Sequence, residues 1–307
     1  MSAVTAIADK DNKKTIPLGA TVGIPPRRMD FEFPTESTRY YYDNDAFKSS
    51  FWGALSALFP EGESFFVEAV RAYRDQITDP KLKAEVAGFI GQEAMHSKEH
   101  QAFNDLLVRH GYPVANMERD LGFLLGAVQK YAPKSIQLAA TVCLEHYTAI
   151  IAEQLLRDPN HVAMADKELI KLWLWHALEE NEHKTVAYDV YQKVNGSYAL
   201  RAGTMIPTTV IFFAVTFWFH GRMLASDGQL LNVRQNYRGL KYFWGKGGLF
   251  RRLAPQFFDF FKPGFHPNDH DTVALLDEWK EKLFGKNGMM ADQIKNPHVH
   301  EAAAKKH

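Results

Sequence analysis

The sequence has almost no cysteine, and its charges cancel. A single cysteine, Cys143, among 307 residues excludes a disulfide framework and any metal site built on cysteine thiolates. The 36 basic and 36 acidic residues give a formal net charge of zero, which argues against a nucleic-acid partner. Hydrophobic residues make up 46% of the chain, enough apolar surface to exclude disorder as the main state. Thirteen histidines remain as the candidates for metal chemistry.

Alternating patterns typical of β-strands are also rare, whereas apolar residues recur every three or four positions through most of the chain. This periodicity predicts an all-α protein. The predicted helices are residues 44–58, 61–77, 81–110, 117–131, 134–157, 166–194, 204–221, 233–261 and 271–284. Short connections should make antiparallel hairpins of the second and third helices and of the fifth and sixth, with a longer crossover between the hairpins. That plan is a ferritin-like four-helix bundle with additional C-terminal helices.

Both ends of the chain are polar, and the first is punctuated by proline and glycine. We therefore expect residues 1–30 to be a mobile N-terminal tail and residues 291–307 to be a C-terminal tail. Residues 31–290 should form a single helical domain, with the bundle in residues 61–194. The N-terminal residues lack the apolar run of a secretory signal, so the expected location is the cytoplasm.

Two predicted helices place acidic and imidazole side chains on otherwise apolar faces. One stripe contains Leu82, Val86, Phe89, Glu93, His96, His100, Phe103 and Leu107. The other contains Leu169, Leu172, His176, Glu180, His183, Ala187 and Val190. Alternating steps of four and three residues put each stripe on one helix face. Burying carboxylates and imidazoles there is costly unless something compensates. Each stripe holds a Glu-x-x-His pair, whose spacing lets both side chains bind one metal ion.

Two further helices each add a lone carboxylate on an apolar face, Glu63 and Glu145. The combined set is typical of ferritin-like di-iron and di-manganese proteins: Glu63, Glu93, His96, Glu145, Glu180 and His183. Carboxylates can bridge two cations, and imidazole suits iron and manganese. Interhelical salt bridges are the alternative interpretation, but no lysine or arginine lies on either stripe.

The stretch from about Phe59 to Asp271 resembles the bacterial proteins described as predicted metal-dependent hydrolases. The resemblance is carried by GQEAMHSKEHQAFN (91–104), LEHYTA (144–149), HALEENEHKTVAYDVY (176–191) and PGFHPNDHD (263–271). It implies a ferritin-like metal-binding fold. The pattern His176-x-x-x-Glu180-x-x-His183 is also similar to the p-aminobenzoate N-oxygenase type of di-iron enzyme. That similarity implies His176 as an extra histidine ligand beside the six residues above.

Three neighbours of this set have open roles. His100 lies on the metal-facing stripe and could bind a metal or support a ligand. His146 would support a ligand or serve in packing. Glu179 would take the place of Glu180 if the helix phase were shifted by one residue.

Residues 202–221 contain no Asp, Glu, Lys or Arg and are long enough to cross a bilayer. Two interpretations stay open, a helix buried on the bundle or at a homodimer interface, and a helix inserted in or docked on a membrane. Residues 233–262 hold seven Lys or Arg, one Asp and nine aromatic residues. This composition suits an anionic lipid surface and favours peripheral contact of 202–262 with the inner face of the membrane.

These observations favour a dinuclear iron enzyme that activates O₂, with manganese as the alternative metal. It would oxidise a hydrophobic or lipid-like substrate and would need an external electron donor. A dinuclear metal-dependent hydrolase would use the same ligands and is the alternative prediction. A metal-storage or structural bundle is the second alternative. No catalytic residue is predicted beyond the ligands.

Overall fold

The structure, a computed structural model, describes residues 7–8 and 15–304, and within them the protein is all-α as predicted. The α-helices are α1 (Ala46–Ser56), α2 (Phe59–Arg71), α3 (Pro80–Arg109), α4 (Val114–Tyr131), α5 (Lys134–Arg157), α6 (Pro159–Met164), α7 (Leu169–His183), α8 (Val186–Val194), α9 (Tyr198–Ser226), α10 (Val233–Trp244), α11 (Leu249–Asp259), α12 (Val273–Phe284) and α13 (Pro297–Ala304). Two short strands, β1 (Ile7–Ala8) and β2 (Thr15–Ile16), pair antiparallel near the N-terminus.

Four helices form the predicted ferritin-like bundle. Helix α2 packs on α3 and α5 packs on α7, and these two hairpins pack against each other. Local sequence signals fix where the hairpins turn. The Asp79 side chain accepts a hydrogen bond from the Leu82 backbone N–H (2.7 Å) at the start of α3, and Pro80 takes the first helical position, where its missing N–H costs nothing. Helix α4 is the crossover between the hairpins.

Four predicted helices differ from the observed ones. The predicted helix 61–77 is α2, which ends at Arg71. The predicted helix 166–194 is interrupted between α7 and α8, at Lys184, whose ammonium binds Thr272 Oγ1 (2.9 Å) and the His270 carbonyl oxygen. The predicted helix 233–261 is divided by a glycine turn in which Gly247 has φ of 73°, a conformation that favours glycine. The predicted helix 204–221 extends over all of α9, with Pro207 inside it.

Much of the predicted N-terminal tail is packed against the bundle. A 3₁₀ turn, Leu18–Val22, lies so close to α3 that a Cβ atom on Gly19 would be 2.2 Å from the Gly88 Cα atom. Ile24 is 4% exposed and Arg27 is 1% exposed. We call residues 17–30 the N-terminal segment. The polar composition of this segment predicted a mobile tail, but its apolar side chains are buried and Arg27 forms a buried ion pair, described below. Residues 1–6 and 9–14 of the predicted tail lie outside the described residues.

The predicted C-terminal tail also contains structure, since α13 packs against the 3₁₀ turn and β2. Val299 and Ala303 supply its buried face. Residues 305–307 lie outside the described part of the chain.

Helix α9 lies along the bundle and packs on α1 and α5. Within the residues that the structure describes, it is the one helix long and apolar enough to cross a membrane. One face carries buried residues such as Met205 and Phe219, whereas Ile206 and Val210 on another face are 62% and 64% exposed. The apolar surface of α9 is therefore divided between the core and the outside.

Candidate metal centre

The seven predicted ligands meet in the interior of the four-helix bundle. None of them is more than 4% exposed. Helix α2 supplies one, α3 two, α5 one and α7 three. In chain order they are Glu63, Glu93, His96, Glu145, His176, Glu180 and His183.

Six of these residues form two groups of three. Potential ligand atoms of Glu63, His96 and His176 lie within 4.8 Å of one another, and so do those of Glu93, Glu180 and His183. We call these the Glu63 group and the Glu93 group. Glu180 reaches both, because its Oε1 atom is 2.7 Å from His176 Nε2, 3.5 Å from His96 Nδ1 and 3.7 Å from His183 Nε2.

Glu145 stands beside the Glu93 group. Its Oε2 atom is 3.6 Å from His183 Nε2, and both of its carboxylate oxygens are buried without a hydrogen-bond partner. The structure therefore brings all seven predicted ligands to one place, although Glu145 lies at the edge of the two groups.

Many polar atoms of this centre are buried without a hydrogen-bond partner. They are Glu63 Oε1, both carboxylate oxygens of Glu93 and of Glu145, His96 Nδ1, Glu180 Oε2 and His183 Nε2. Unpaired buried polar atoms are costly and uncommon. Among the described residues, no lysine or arginine forms an ion pair with any of the four glutamates. Oxygen and imidazole nitrogen atoms converging in this way fit bound metal ions.

The carboxylates titrate as crowded, buried groups. Burial raises the pKa values of Glu63, Glu93 and Glu145, and neighbouring carboxylates raise them further. Burial also opposes ionisation of Glu180, but hydrogen bonds from His176, His183 and His96 hold its pKa well below the usual range. Four ionised glutamates match the charge of two divalent ions, which would remove this repulsion.

Glu179 fixes the orientation of His96. The two side chains are joined by His96 Nε2 and Glu179 Oε2 at 3.1 Å. Since a carboxylate only accepts, the Nε2–H donates, and Nδ1 is the nitrogen that faces the centre. Burial lowers the pKa of His96, but Glu179 and Glu180 outweigh it and raise the pKa to about 10. A metal ion at Nδ1 must therefore displace a proton.

Gln92 orients His183 in the same manner. Its amide nitrogen donates to the Pro25 carbonyl (3.1 Å) and to Glu182 Oε2 (2.9 Å), which turns its Oε1 atom toward His183 Nδ1 at 2.9 Å. His183 Nδ1–H therefore donates to Gln92, and the Nε2 atom faces the Glu93 group, 3.1 Å from Glu93 Oε1.

A longer chain of hydrogen bonds orients His176. Asn104 donates through Nδ2 to the Ser56 carbonyl (3.2 Å) and to Glu118 (2.8 Å), so its Oδ1 atom accepts from the Ser56 hydroxyl (2.7 Å). Ser56 Oγ then accepts from His100 Nδ1 (2.8 Å). His100 Nε2 lies 2.6 Å from His176 Nδ1 and would accept the Nδ1 proton when His176 Nε2 binds a metal ion. His176 Nε2, which lies 2.7 Å from Glu180 Oε1, is therefore the nitrogen that faces the Glu63 group, and His100 lies behind a ligand.

Arg27 is one of the supporting residues at the centre that the sequence did not reveal. Its guanidinium donates to Glu179 (2.8 Å) and to both oxygens of Glu182 (2.7 and 2.8 Å). Arg27 keeps the pKa of Glu182 low against the effect of burial. One buried cation thus supports Glu179, which orients His96, and Glu182, which orients Gln92. Arg27 belongs to the predicted tail. The one signal for it in the sequence was the run of acidic residues around Glu180, which would need a cationic partner when buried.

The other two predicted neighbours have different places. Glu179 supports His96, as described. His146 lies apart from the two groups, between Phe260 and Phe265, and its Nε2–H donates to the Gln256 carbonyl (3.0 Å). Burial lowers the pKa of His146 to about 3, so it is a neutral packing residue.

A largely apolar cavity of about 370 Å³ reaches the centre. Its ionisable lining residues are Glu63, His176 and Glu180, all of them in the two groups. The remaining walls come mainly from apolar side chains of α1, α2, α4, α5, α7 and α9. This volume suits a small organic ligand, and Glu63 and His176 of the Glu63 group line it.

Comparisons with known proteins agree with the metal-binding geometry. A family model described as "Predicted metal-dependent hydrolase" matches residues 25–271, most of the chain. The match contains Arg27 and all seven predicted ligands. Neither the curated proteins nor the solved structures gave a match.

Proposed function

The chain belongs to the predicted metal-dependent hydrolase family, and from this premise we propose that it hydrolyses a largely hydrocarbon substrate at a dinuclear metal centre. The observation that carries the proposal is the apolar cavity whose ionisable lining residues are Glu63, His176 and Glu180. A substrate that fills the cavity would present its reacting bond to the Glu63 group.

The prediction of an O₂-activating iron oxygenase was wrong. It followed from a ligand set that oxygenases and hydrolases share, and the family assignment supports the hydrolase alternative instead. The predicted O₂ substrate and external electron donor belonged to the oxygenase and are withdrawn with it. Iron as the native metal had the same basis.

The composition of the Glu63 group supports hydrolysis. Two histidines and one glutamate are a ligand set of catalytic zinc sites, in which three protein ligands leave a position for water. The Glu93 group, with two carboxylates and one imidazole, supplies harder donors. Bound metal ions would polarise the scissile bond and make a bound water acidic enough to attack it at neutral pH.

The chain's own residues supply orientation and a dry pocket. His176 is held by His100 and His96 by Glu179, so the donor atoms of the Glu63 group keep fixed directions. The apolar walls exclude bulk water from the reacting bond. Glu180, which reaches both groups, would keep their ions close together.

The test uses purified protein stripped of metal and reloaded separately with Zn(II), Mn(II) or, without air, Fe(II). Metal content per chain and hydrolysis of p-nitrophenyl esters of increasing acyl length are measured. We expect two ions per chain and a kcat/KM that rises with acyl length until the cavity is full.

Glu99→Gln is the matched control, since Glu99 is a buried glutamate of α3 that accepts from the Asp30 and Phe31 backbone N–H groups rather than facing the centre. It should keep both ions and ester hydrolysis. Failure of every metal form to hydrolyse any ester of the series, with two ions bound, would contradict the proposal.

A further inference from the structure

Helices α9 and α10 each carry an exposed apolar face. On α9, large apolar residues that are 39–64% exposed recur at helical spacing: Ile206, Val210, Ile211, Phe217 and Trp218. On α10, residues that are 56–80% exposed form a stripe: Val233, Tyr237, Leu240 and Trp244. Phe217 packs against the buried Phe243 of α10 with ring centroids 5.8 Å apart, so the two helices meet at the edge of the α9 face. We call the two apolar faces the α9–α10 surface.

A basic stripe borders this surface. Arg234, Arg238 and Lys241 are exposed and lie about 100° around α10 from the apolar stripe. Among the described residues, none of the three forms an ion pair with a carboxylate, unlike Arg252 of α11, which pairs with Asp158. Gly239 and Phe243 on a third side of α10 are buried. Helix α10 therefore attaches by one side and offers apolar and cationic sides to its surroundings.

The cavity opens onto the same surface. Pro207 and Ile211 line the cavity and also belong to the exposed face of α9. Across the opening lies α4, which is tied to α9 by an ion pair between Arg222 and Asp120 (2.8 Å). Phe123 of α4 is 82% exposed, so apolar surface continues on the far rim.

We propose that the α9–α10 surface docks on an anionic lipid bilayer, and that the substrate is a membrane lipid ester whose acyl chain enters the cavity between α4 and α9. The substrate class rests on the proposed hydrolase function. Water would add its hydroxyl to the acyl carbon and its remaining proton to the leaving alkoxide, which gives a fatty acid and an alcohol.

The chemistry of α10 favours a bilayer over a protein partner. A helix with an apolar stripe beside Arg and Lys is typical of helices that lie in the membrane interface, where Trp and Tyr are also favoured. Anionic headgroups would complement Arg234, Arg238 and Lys241. A second copy of the chain would bring the same excess of positive charge instead.

The experiment measures flotation of the metal-loaded protein with phosphatidylcholine vesicles and with vesicles that also contain phosphatidylglycerol. We expect binding to the anionic vesicles, and binding on the order of 100-fold weaker for Arg234→Gln/Arg238→Gln/Lys241→Gln. Leu240→Gln/Trp244→Gln should weaken binding too. Lys81→Gln/Lys83→Gln/Lys286→Gln removes the same charge from exposed positions elsewhere and should bind like the original protein.

A soluble short-chain ester, assayed without vesicles, separates docking from catalysis. The α10 variants should hydrolyse it normally and lose only lipid hydrolysis. Ester hydrolysis without any vesicle binding would overturn docking and leave the hydrolase standing. Vesicle binding without hydrolysis of either substrate would support docking and overturn the lipid-ester substrate. A dimer in light scattering that Leu240→Gln/Trp244→Gln converts to monomers, together with no vesicle binding, would assign the surface to a second copy and overturn the proposal.

Discussion

The Glu63 group and the Glu93 group use the same donor chemistry in different surroundings. Glu63 and His176 line the apolar cavity, and His176 is oriented from behind by His100 and Ser56. Glu93 and His183 lie toward the N-terminal segment, where Gln92 and Arg27 supply polar support. Similar ligands can therefore face substrate in one group and a closed polar network in the other, and the neighbours decide which.

Glu180→Gln should weaken metal binding in both the Glu63 group and the Glu93 group. Its carboxylate reaches His176, His96 and His183, so both groups lose a charge and a donor. We expect metal content to fall below one ion per chain. Ester hydrolysis should fall by more than roughly 100-fold, the typical loss when a residue that supports a ligand is removed. Elemental analysis and ester hydrolysis measure this. Two ions retained with normal turnover would show that Glu180 does not connect the groups.

Arg27→Gln should weaken both groups from the polar side. It leaves the buried carboxylates Glu179 and Glu182 without their cation, which costs about 3–5 kcal/mol of folding free energy. Urea denaturation measures the change. Arg28→Gln is the control, because the side chain of Arg28 is 59% exposed and its loss should change stability by less than about 1 kcal/mol. Equal stability of the two variants would contradict the role of Arg27.

His100→Leu and Gln92→Leu should each weaken metal binding in one group and leave the other group unchanged. Each removes the hydrogen-bond acceptor behind one ligand, His176 in the first variant and His183 in the second. Loss of such a contact typically lowers metal affinity about 10- to 100-fold. We expect each variant to retain one tightly bound ion and one weak ion, as seen by titration calorimetry. His100→Gln keeps an acceptor and should partly restore the first site, which a purely steric role of His100 would not explain.

Ala140→Phe should act on the substrate side alone. Ala140 lines the cavity, and a larger side chain there would shorten the space for an acyl chain. We expect roughly tenfold lower kcat/KM for the longest esters, with short esters and both metal ions unaffected. Ala225→Phe, at an exposed position of α9 outside the cavity lining, is the control. A loss of metal in Ala140→Phe would show that the cavity and the groups are not separable.

The bundle and the ligand stripes could be predicted because they depend on periodicity within single helices. Glu93 and His96, or Glu180 and His183, share a face by spacing alone, whatever packs against that face. The break after His183 was not visible in this periodicity, which continues through it, and the contacts of Lys184 there are with residues far along the chain.

The supporting residues were hidden for a similar reason. Arg27 is separated from Glu179 by 152 positions and lies in a stretch whose composition resembles a tail. The roles of Ser56 and Asn104 depend on three-dimensional contact with His100 rather than on spacing. The residue pattern also could not predict the type of reaction, since hydrolases and oxygenases can share these metal-binding side chains.

The contact between Gly19 and Gly88 has a kinetic consequence. A metal ion buried in the bundle leaves only when something opens, and the N-terminal segment covers the polar side through a contact that any added methyl group would disturb. A Cβ on Gly88 would lie 2.7 Å from Ile24 Cβ, so Gly88→Ala should lift the segment more often. We expect a chelator to extract metal faster from this variant although every ligand is unchanged. The close contact of the two glycines would then set the rate of metal release from the centre.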